Sequence, residues 1–422
     1  MEAESEPWVL ATGIPFDDLK GYRLEECVYW ILDGLGAKDL EWRVGGVGGG
    51  TADGGRDIEA AFYLPDDAGR MERHQWWIEC KGRGATVEKE AVVNACNNVT
   101  AYPEVERLII ATNSRFSNPT IQWVRDWQAS HPQQVIVLWD RAELERMLSR
   151  QPSTVLRLFQ GGLSLAGKLE AIRERYFNLM EYSSIDQLRA IWAVRDTLDI
   201  GPMERIALVA NEFAHGDIDE RPWCGGDDVH AASGALTMAL FNFIYLFSKW
   251  TKTGGDEEPF VAMVAYLLSA SLRHLDATEV VNLIEVALRA APDQPMSQEN
   301  MDYFLGPILD RLNTDLTLVC SADCPRFSRD DSLKGWQEDD PFRRYWSRYG
   351  RRGTARPGQV INARLERTNQ PCVIGIGLSA DERCRIYATD PTVKNLLPYL
   401  DVVAAVVRAR SPLPRRKNSD IV

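Results

Sequence analysis

The segment Gly45 to Lys81 (GGVGGGTADGGRDIEAAFYLPDDAGRMERHQWWIECK) constrains the chain most, because its glycine-rich loop runs into two apolar segments that each carry acid at one end. Ile58 to Tyr63 and Gln75 to Cys80 are rich in aliphatic and aromatic residues and read as strands. The polar connection Leu64 to His74 (LPDDAGRMERH), with its Pro and Gly, closes them into a β-hairpin. Side chains alternate faces along a strand, so Trp77, Glu79 and Lys81 share one face while Trp76, Ile78 and Cys80 share the other. The second face is core-like. The first ends in a carboxylate and an ammonium, and Asp57 opens the partner strand, where pairing brings it alongside.

Two carboxylates converging with a lysine suit a hard divalent cation: oxygen ligands for Mg²⁺, with Mn²⁺ able to substitute, and waters completing the shell, one of them a nucleophile. Lys81 then orients the attacking water or offsets charge on a phosphorane-like transition state. An ordinary solvated strand face carries the same residue types, so this spacing alone leaves both readings standing. Context comes from Gly21 to Gly36 (GYRLEECVYWILDGLG), an amphipathic helix with Leu24, Val28, Ile31, Leu32 and Leu35 on one face. Glu25 falls on the packing side, where an unpaired charge is costly and a metal site would supply a partner; Glu26 falls toward solvent.

A helix with its Glu followed by L-x-x-L-G, a glycine-rich loop, D-G-G-x-D-I and E-C-K together resemble the catalytic domain of the Mrr family of restriction endonucleases, in the PD-(D/E)xK nuclease superfamily. Leu108 to Leu148 (LIIATNSRFSNPTIQWVRDWQASHPQQVIVLWDRAELERML) continues the likeness with a strand ending in T-N-S-x-F-S, a helix, a further strand and a terminal D-x-x-x-L helix. The resemblance covers roughly residues 15 to 160. It implies that Glu25, Asp57, Glu79 and Lys81 are the catalytic set, the three acids also the metal ligands, with Asp53 in support. Many relatives carry Gln in place of Glu79; Glu is the superfamily's more general choice.

The expected fold is an α/β N-terminal domain with a mixed central sheet over residues 1–160, then a mainly α-helical region over 164–313 and a small mixed α+β region over 314–422. After Lys81 come a loop, a helix Thr86 to Tyr102, a strand Leu108 to Thr112, a helix around Thr120 to Ala129 and a strand Val135 to Trp139. Asn113, Ser114 and Arg115 follow a strand end, where either DNA contact or a capping turn fits. The middle region reads as seven helices: Leu169 to Met180, Ile185 to Leu198, Met203 to His215, Ala231 to Trp250, Pro259 to His274, Thr278 to Ala291 and Asn300 to Leu312. Asp276 and Glu279 form a candidate capping box. Ala231 to Ser248 lacks charge, but its partner run Phe260 to Leu272 is too short for a membrane hairpin, which favours buried bundle helices or a dimer interface. Farther on, Leu316 to Cys320, Val360 to Leu365, Val373 to Leu378 and Arg385 to Ala388 read as strands and Asp390 to Arg408 as a helix.

A net charge of −13 argues against a nucleic-acid partner until its distribution is considered. Part of the N-terminal acid is the proposed metal site, whose cations reverse the local sign. Basic charge gathers late, in Phe342 to Arg356 (FRRYWSRYGRRGTAR), where Arg343, Arg344, Arg348, Arg351 and Arg352 interleave with Tyr345 and Trp346. Arginine forks on phosphate and aromatic faces on bases fit nucleic acid; a solvated loop pairing with the chain's own acid fits equally. Met1 to Pro7 (MEAESEP) lacks an apolar signal-peptide core, and eight scattered cysteines point to a reducing cytoplasm rather than to disulfides. Cys320, Cys324, Cys372 and Cys384 lack the usual zinc spacing.

The expected function is a Mg²⁺-dependent DNA endonuclease of restriction or antiviral defence type, acting on foreign or modified DNA. It is expected to be homo-oligomeric, with a protein partner or signal molecule addressed by the C-terminal regions and no membrane contact. Two other readings stay open: an effector nuclease subunit of a larger defence or repair complex acting on DNA or RNA, and a non-catalytic nucleic-acid-binding module.

Overall fold

The computed structural model describes residues 7–43, 56–225, 229–254, 257–289, 296–321, 326–330, 363–366, 372 and 384–410. The chain forms two compact units, Met1–Glu174 and Arg175–Val422.

The first unit is a three-layer α/β structure. Helix α1 (Tyr22–Gly34) leads into strands β1 (Lys38–Trp42), β2 (Ile58–Pro65) and β3 (Met71–Cys80), followed by α2 (Glu90–Val99), β4 (Val105–Ala111), α3 (Asn118–Ser130), β5 (Val135–Trp139), α4 (Arg141–Leu148), α5 (Pro152–Leu158) and α6 (Leu165–Glu174). The five strands lie in the order β1-β2-β3-β4-β5, antiparallel from β1 to β3 and parallel from β3 to β5. Alternation along the strands divides the core in two. Ile58, Ile78, Ile109 and Ala111 pack under Leu24, Val28, Ile31 and Leu32 of α1 and Leu144 and Leu148 of α4. Trp77, Leu108, Ile110 and Ile136 pack under Val92, Cys96 and Val99 of α2 and Val124 and Trp127 of α3. The mixed sheet is as expected, but both faces of β3 are core, not one. Helices cover the central strands on each side, as parallel pairing requires.

Local boundaries shift for identifiable reasons. The hairpin ladder runs to Pro65↔Met71, so most of Leu64 to His74 is strand. The reversal is tight because Asp66 Oδ1 accepts the amides of Ala68 and Arg70, at 2.8 and 2.7 Å, and Gly69 takes φ +77°. Helix α2 begins only at Glu90, because Val87 is drawn into a bridge with Phe116. Leu35, expected on the apolar face of α1, lies past its end and is exposed.

The second unit is mainly helical: α7 (Ile185–Ala193), α8 (Pro202–His215), α9 (Val229–Phe241), α10 (Phe243–Thr253), α11 (Glu258–Ser271), α12 (Ala277–Ala287) and α13 (Gln298–Ser321). A two-stranded sheet of β6 (Phe327–Asp330) and β7 (Ala363–Glu366) follows, then α14 (Arg385–Ala388) and α15 (Leu396–Arg410). The capping box forms: Asp276 Oδ1 accepts the Glu279 amide at 2.8 Å and Glu279 Oε2 accepts the Asp276 amide at 2.9 Å. Three expectations are corrected. Ala231 to Trp250 is not one helix; it bends by 63° between α9 and α10, where the Asn242 amide side chain donates to Met238 O. Leu316 to Cys320 is not a strand but the last part of α13, because Leu305, Ile308, Leu309, Leu312 and Leu316 fall on one buried helical stripe. Arg385 to Ala388 is a helical turn seated by buried Ile386. Among the described residues no single helix is long and apolar enough to cross a membrane. Val373 to Leu378 lies outside the described residues.

Candidate active site

Of the residues singled out from the sequence, Asp57, Glu79 and Lys81 lie at the C-terminal end of β3. Asp57 stands just before the Ile58↔Ile78 pair, its amide donating to Ile78 O at 2.8 Å and its Oδ2 accepting the Cys80 amide at 2.6 Å. That second bond fixes the carboxylate against the strand carrying Glu79 and Lys81. Lys81 Nζ donates to Glu79 Oε1, and the backbone of Lys81 is anchored by its amide on Ala111 O and by Thr112 Oγ1 on its own carbonyl.

Glu79 is buried, with 7 % of its surface exposed, and its second oxygen, Oε2, is enclosed without a hydrogen-bond partner. Desolvation pushes its carboxyl above the ordinary range; Lys81 opposes this and the Asp57 charge adds to it. Desolvation drives the Cys80 thiol well above the usual thiol range, and the charges of Asp57, Glu25 and Glu79 each push it further. Glu25 projects from α1, where Trp42 Nε1 donates to its Oε2 at 3.1 Å. The packing-side acid therefore has a protein partner in this fold, the indole at the end of β1, itself stacked on Tyr22 and Tyr29.

The donor chemistry fits a hard divalent cation. Asp57 and Glu79 are mutually repelling carboxylates that a cation would reconcile, and the enclosed Glu79 Oε2 lacks the partner such a cation would be. Among the described residues no three His, Cys, Asp or Glu side chains form a group that could hold a metal ion by themselves.

Two neighbours escaped the sequence reading, Trp42 and Arg56. Trp42 orients Glu25. Arg56 ion-pairs with Glu59 at 2.6 Å and lies over the Trp77 ring at 4.1 Å, bracing the strand start next to Asp57. Asn113 is buried and serves as a structural stitch: its Oδ1 accepts the Arg83 amide at 2.9 Å and its Nδ2 donates to Phe16 O at 3.1 Å. Of the T-N-S run's two sequence readings, the structural one describes Asn113, while Ser114 Oγ donates to Ala85 O at 2.8 Å. Asp53 and the stretch holding Arg343, Arg344, Tyr345, Trp346, Arg348, Arg351 and Arg352 lie outside the described residues.

Residues 16–148 match a family model described as restriction endonuclease, the Mrr catalytic domain. No curated protein and no solved structure matches the chain. The matched segment runs from Phe16 through the end of α4 and spans the five-stranded sheet and the acid-lysine end of β3. An Mrr-like restriction-endonuclease catalytic domain thus occupies residues 16–148 of this chain.

Proposed function

We propose that the chain is a divalent-metal-dependent DNA endonuclease of restriction or anti-phage defence type, working in the cytoplasm, with Mg²⁺ as its ion and Mn²⁺ as a substitute. The observation that carries this reading is the meeting of Asp57, Glu79 and Lys81 at one strand end, with an enclosed carboxylate oxygen lacking a partner. Asp57 and Glu79 would hold the ion, and Glu25 adds a third negative charge from α1. When bound, the ion supplies Lewis acidity toward the phosphate and a water of lowered pKa. Lys81, already hydrogen-bonded to Glu79, orients the attacking water and offsets the charge that grows on the phosphate oxygens as the scissile P–O bond breaks. Asp53 supports the set from the glycine-rich loop. The Arg175–Val422 unit supplies targeting, sensing or assembly; its Arg343 to Arg352 stretch is a second candidate for DNA contact, and a partner protein or signal molecule would act there.

The test is cleavage by purified full-length protein with Mg²⁺ on plasmid, methylated plasmid, single-stranded DNA and RNA. DNA should be cut. Asp57→Ala should abolish cutting without loss of fold. Lys81→Ala should be nearly as inactive while DNA and ion binding persist, because the lysine is assigned to the chemical step. Cleavage retained by Asp57→Ala removes the proposed site, and exclusive cutting of RNA favours the effector-nuclease alternative.

A further inference from the structure

The loop after Lys81 is exposed from Arg83 to Thr86, yet it is held like a core element. Arg83 N–H is bound by Asn113, Ala85 O accepts Ser114 Oγ, and Val87 N–H donates to Arg115 O at 2.8 Å. Val87 O accepts both the Ser117 amide and Thr120 Oγ1, at 3.1 and 3.0 Å. On its other side the loop meets the approach to α1. A Cβ at Gly82 would sit 2.8 Å from Lys20 Cα and 2.9 Å from Gly21 N, so only glycine permits this approach. Lys20 Nζ reaches over Gly84, 3.9 Å from where a Cβ would be. Exposed loops are usually the mobile part of a fold. This one is pinned on both sides, and it begins beside the proposed catalytic lysine.

Its charges are arranged in a particular way. Lys20, Arg83 and Arg115 are exposed, and none has a carboxylate partner among the described residues. Elsewhere in the same unit Arg43, Arg56, Arg70, Arg73 and Arg146 are ion-paired, whereas Arg23, Arg125 and Arg150 also have no ion pair among the described residues; what sets Lys20, Arg83 and Arg115 apart is that all three belong to the pinned loop and the two segments that pin it. Holding like charges along a rigid surface is unfavourable unless an anion from outside lies among them. A groove of about 590 Å³ runs along this loop from Arg83 to Ala91; Glu88 and Glu90, which also line it, repel phosphate and confine it to the Arg83 part.

We propose that Lys20, Arg83 and Arg115 form a phosphate track that seats the DNA backbone flanking the scissile phosphodiester. This rests on the nuclease reading of the adjoining site. The track would position the strand and not discriminate its sequence, since phosphates carry no base identity.

The test measures anisotropy of a labelled DNA duplex with the full chain in EDTA, where binding is read without chemistry, across salt concentrations. The variant Lys20→Gln, Arg83→Gln, Arg115→Gln should lower the slope of log affinity against log salt by about 0.9 for each phosphate no longer neutralised, roughly 2 to 3 in all. Arg70→Gln, in the turn before the far end of β3 with 82 % of its side chain exposed, removes one positive charge and should leave the slope alone. An unchanged slope in the triple variant, or a fall of about 0.9 with Arg70→Gln alone, overturns the track. Because cleavage is assayed separately with Mg²⁺, cutting with an unchanged slope sinks the track and spares the nuclease reading. A reduced slope in a chain that never cuts does the reverse.

Discussion

Glu79 is where folding and chemistry pull against each other. Its carboxyl is buried and titrates above its ordinary value of 4.5, so the sign of its contribution to stability is set. At low pH it is protonated in both the folded and unfolded chain and costs nothing. As pH rises through the ordinary carboxylate range the unfolded chain ionises first, and the folded state is increasingly disfavoured, the penalty levelling off at its full size once the raised carboxyl ionises too. Glu79→Gln keeps an acceptor for Lys81 and removes this burden. Metal-free Glu79→Gln should therefore melt above wild type at neutral pH, with the advantage shrinking toward pH 4, and Mg²⁺ should raise the melting temperature of wild type only. A variant less stable than wild type at neutral pH, or stabilised equally by Mg²⁺, would show that Glu79 is not held there for an ion. The E-x-K spacing made Glu79 and Lys81 legible from sequence, because a strand's period of two places both on one face. The Trp42 grip on Glu25 and the Asn113 stitch were not, since they join residues 17 and 97 positions apart and no local pattern reports such pairings.

Among the elements, those with strong periodicity and caps were readable and those shaped by neighbours were not. Strand β1 carries Lys38, Asp39 and Glu41 in five residues, an edge strand whose charges discourage further pairing and conceal it from a hydrophobic pattern. The run Leu316 to Cys320 has strand-like composition, yet it continues a helix whose apolar stripe is already committed to burial. The loop after α8 shows how much one side chain can organise. The Glu212 carboxylate, fully enclosed, accepts from Arg221 Nε and Nη2 at 2.8 and 3.0 Å, from Trp223 Nε1 at 3.0 Å and from the Asp217 amide at 2.7 Å. Glu212→Ala leaves the buried Arg221 only its Nη1 pair with Glu220, at 2.8 Å, and strips its Nε and Nη2 of their acceptors, which should cost about 3 kcal/mol in denaturant unfolding of the helical unit. Glu212→Leu combined with Arg221→Met should recover most of that loss. A single variant within about 1 kcal/mol of wild type would mean the loop is held by something else.

At the scale of the whole molecule, one nuclease site of this kind cuts one strand, and a double-strand break needs two sites facing opposite strands, most simply through a twofold axis. The helical unit has the apolar surface for it. Helix α11 is almost wholly consumed inside the bundle, but around the α9–α10 bend Met238, Phe241, Ile244 and Tyr245 stay 38 to 56 % exposed, with Tyr303 of α13 at 61 %. An apolar group of this kind is unfavourable in water and favours self-association. Light scattering on the full chain at micromolar concentration should therefore report a dimer or higher homo-oligomer. Phe241→Glu with Ile244→Glu, which places charge where water already reaches, should yield a folded monomer that nicks one strand and rarely breaks both. A wild-type chain that stays monomeric, or a doubly substituted chain that keeps its oligomeric state, would show that this surface is not where two copies meet.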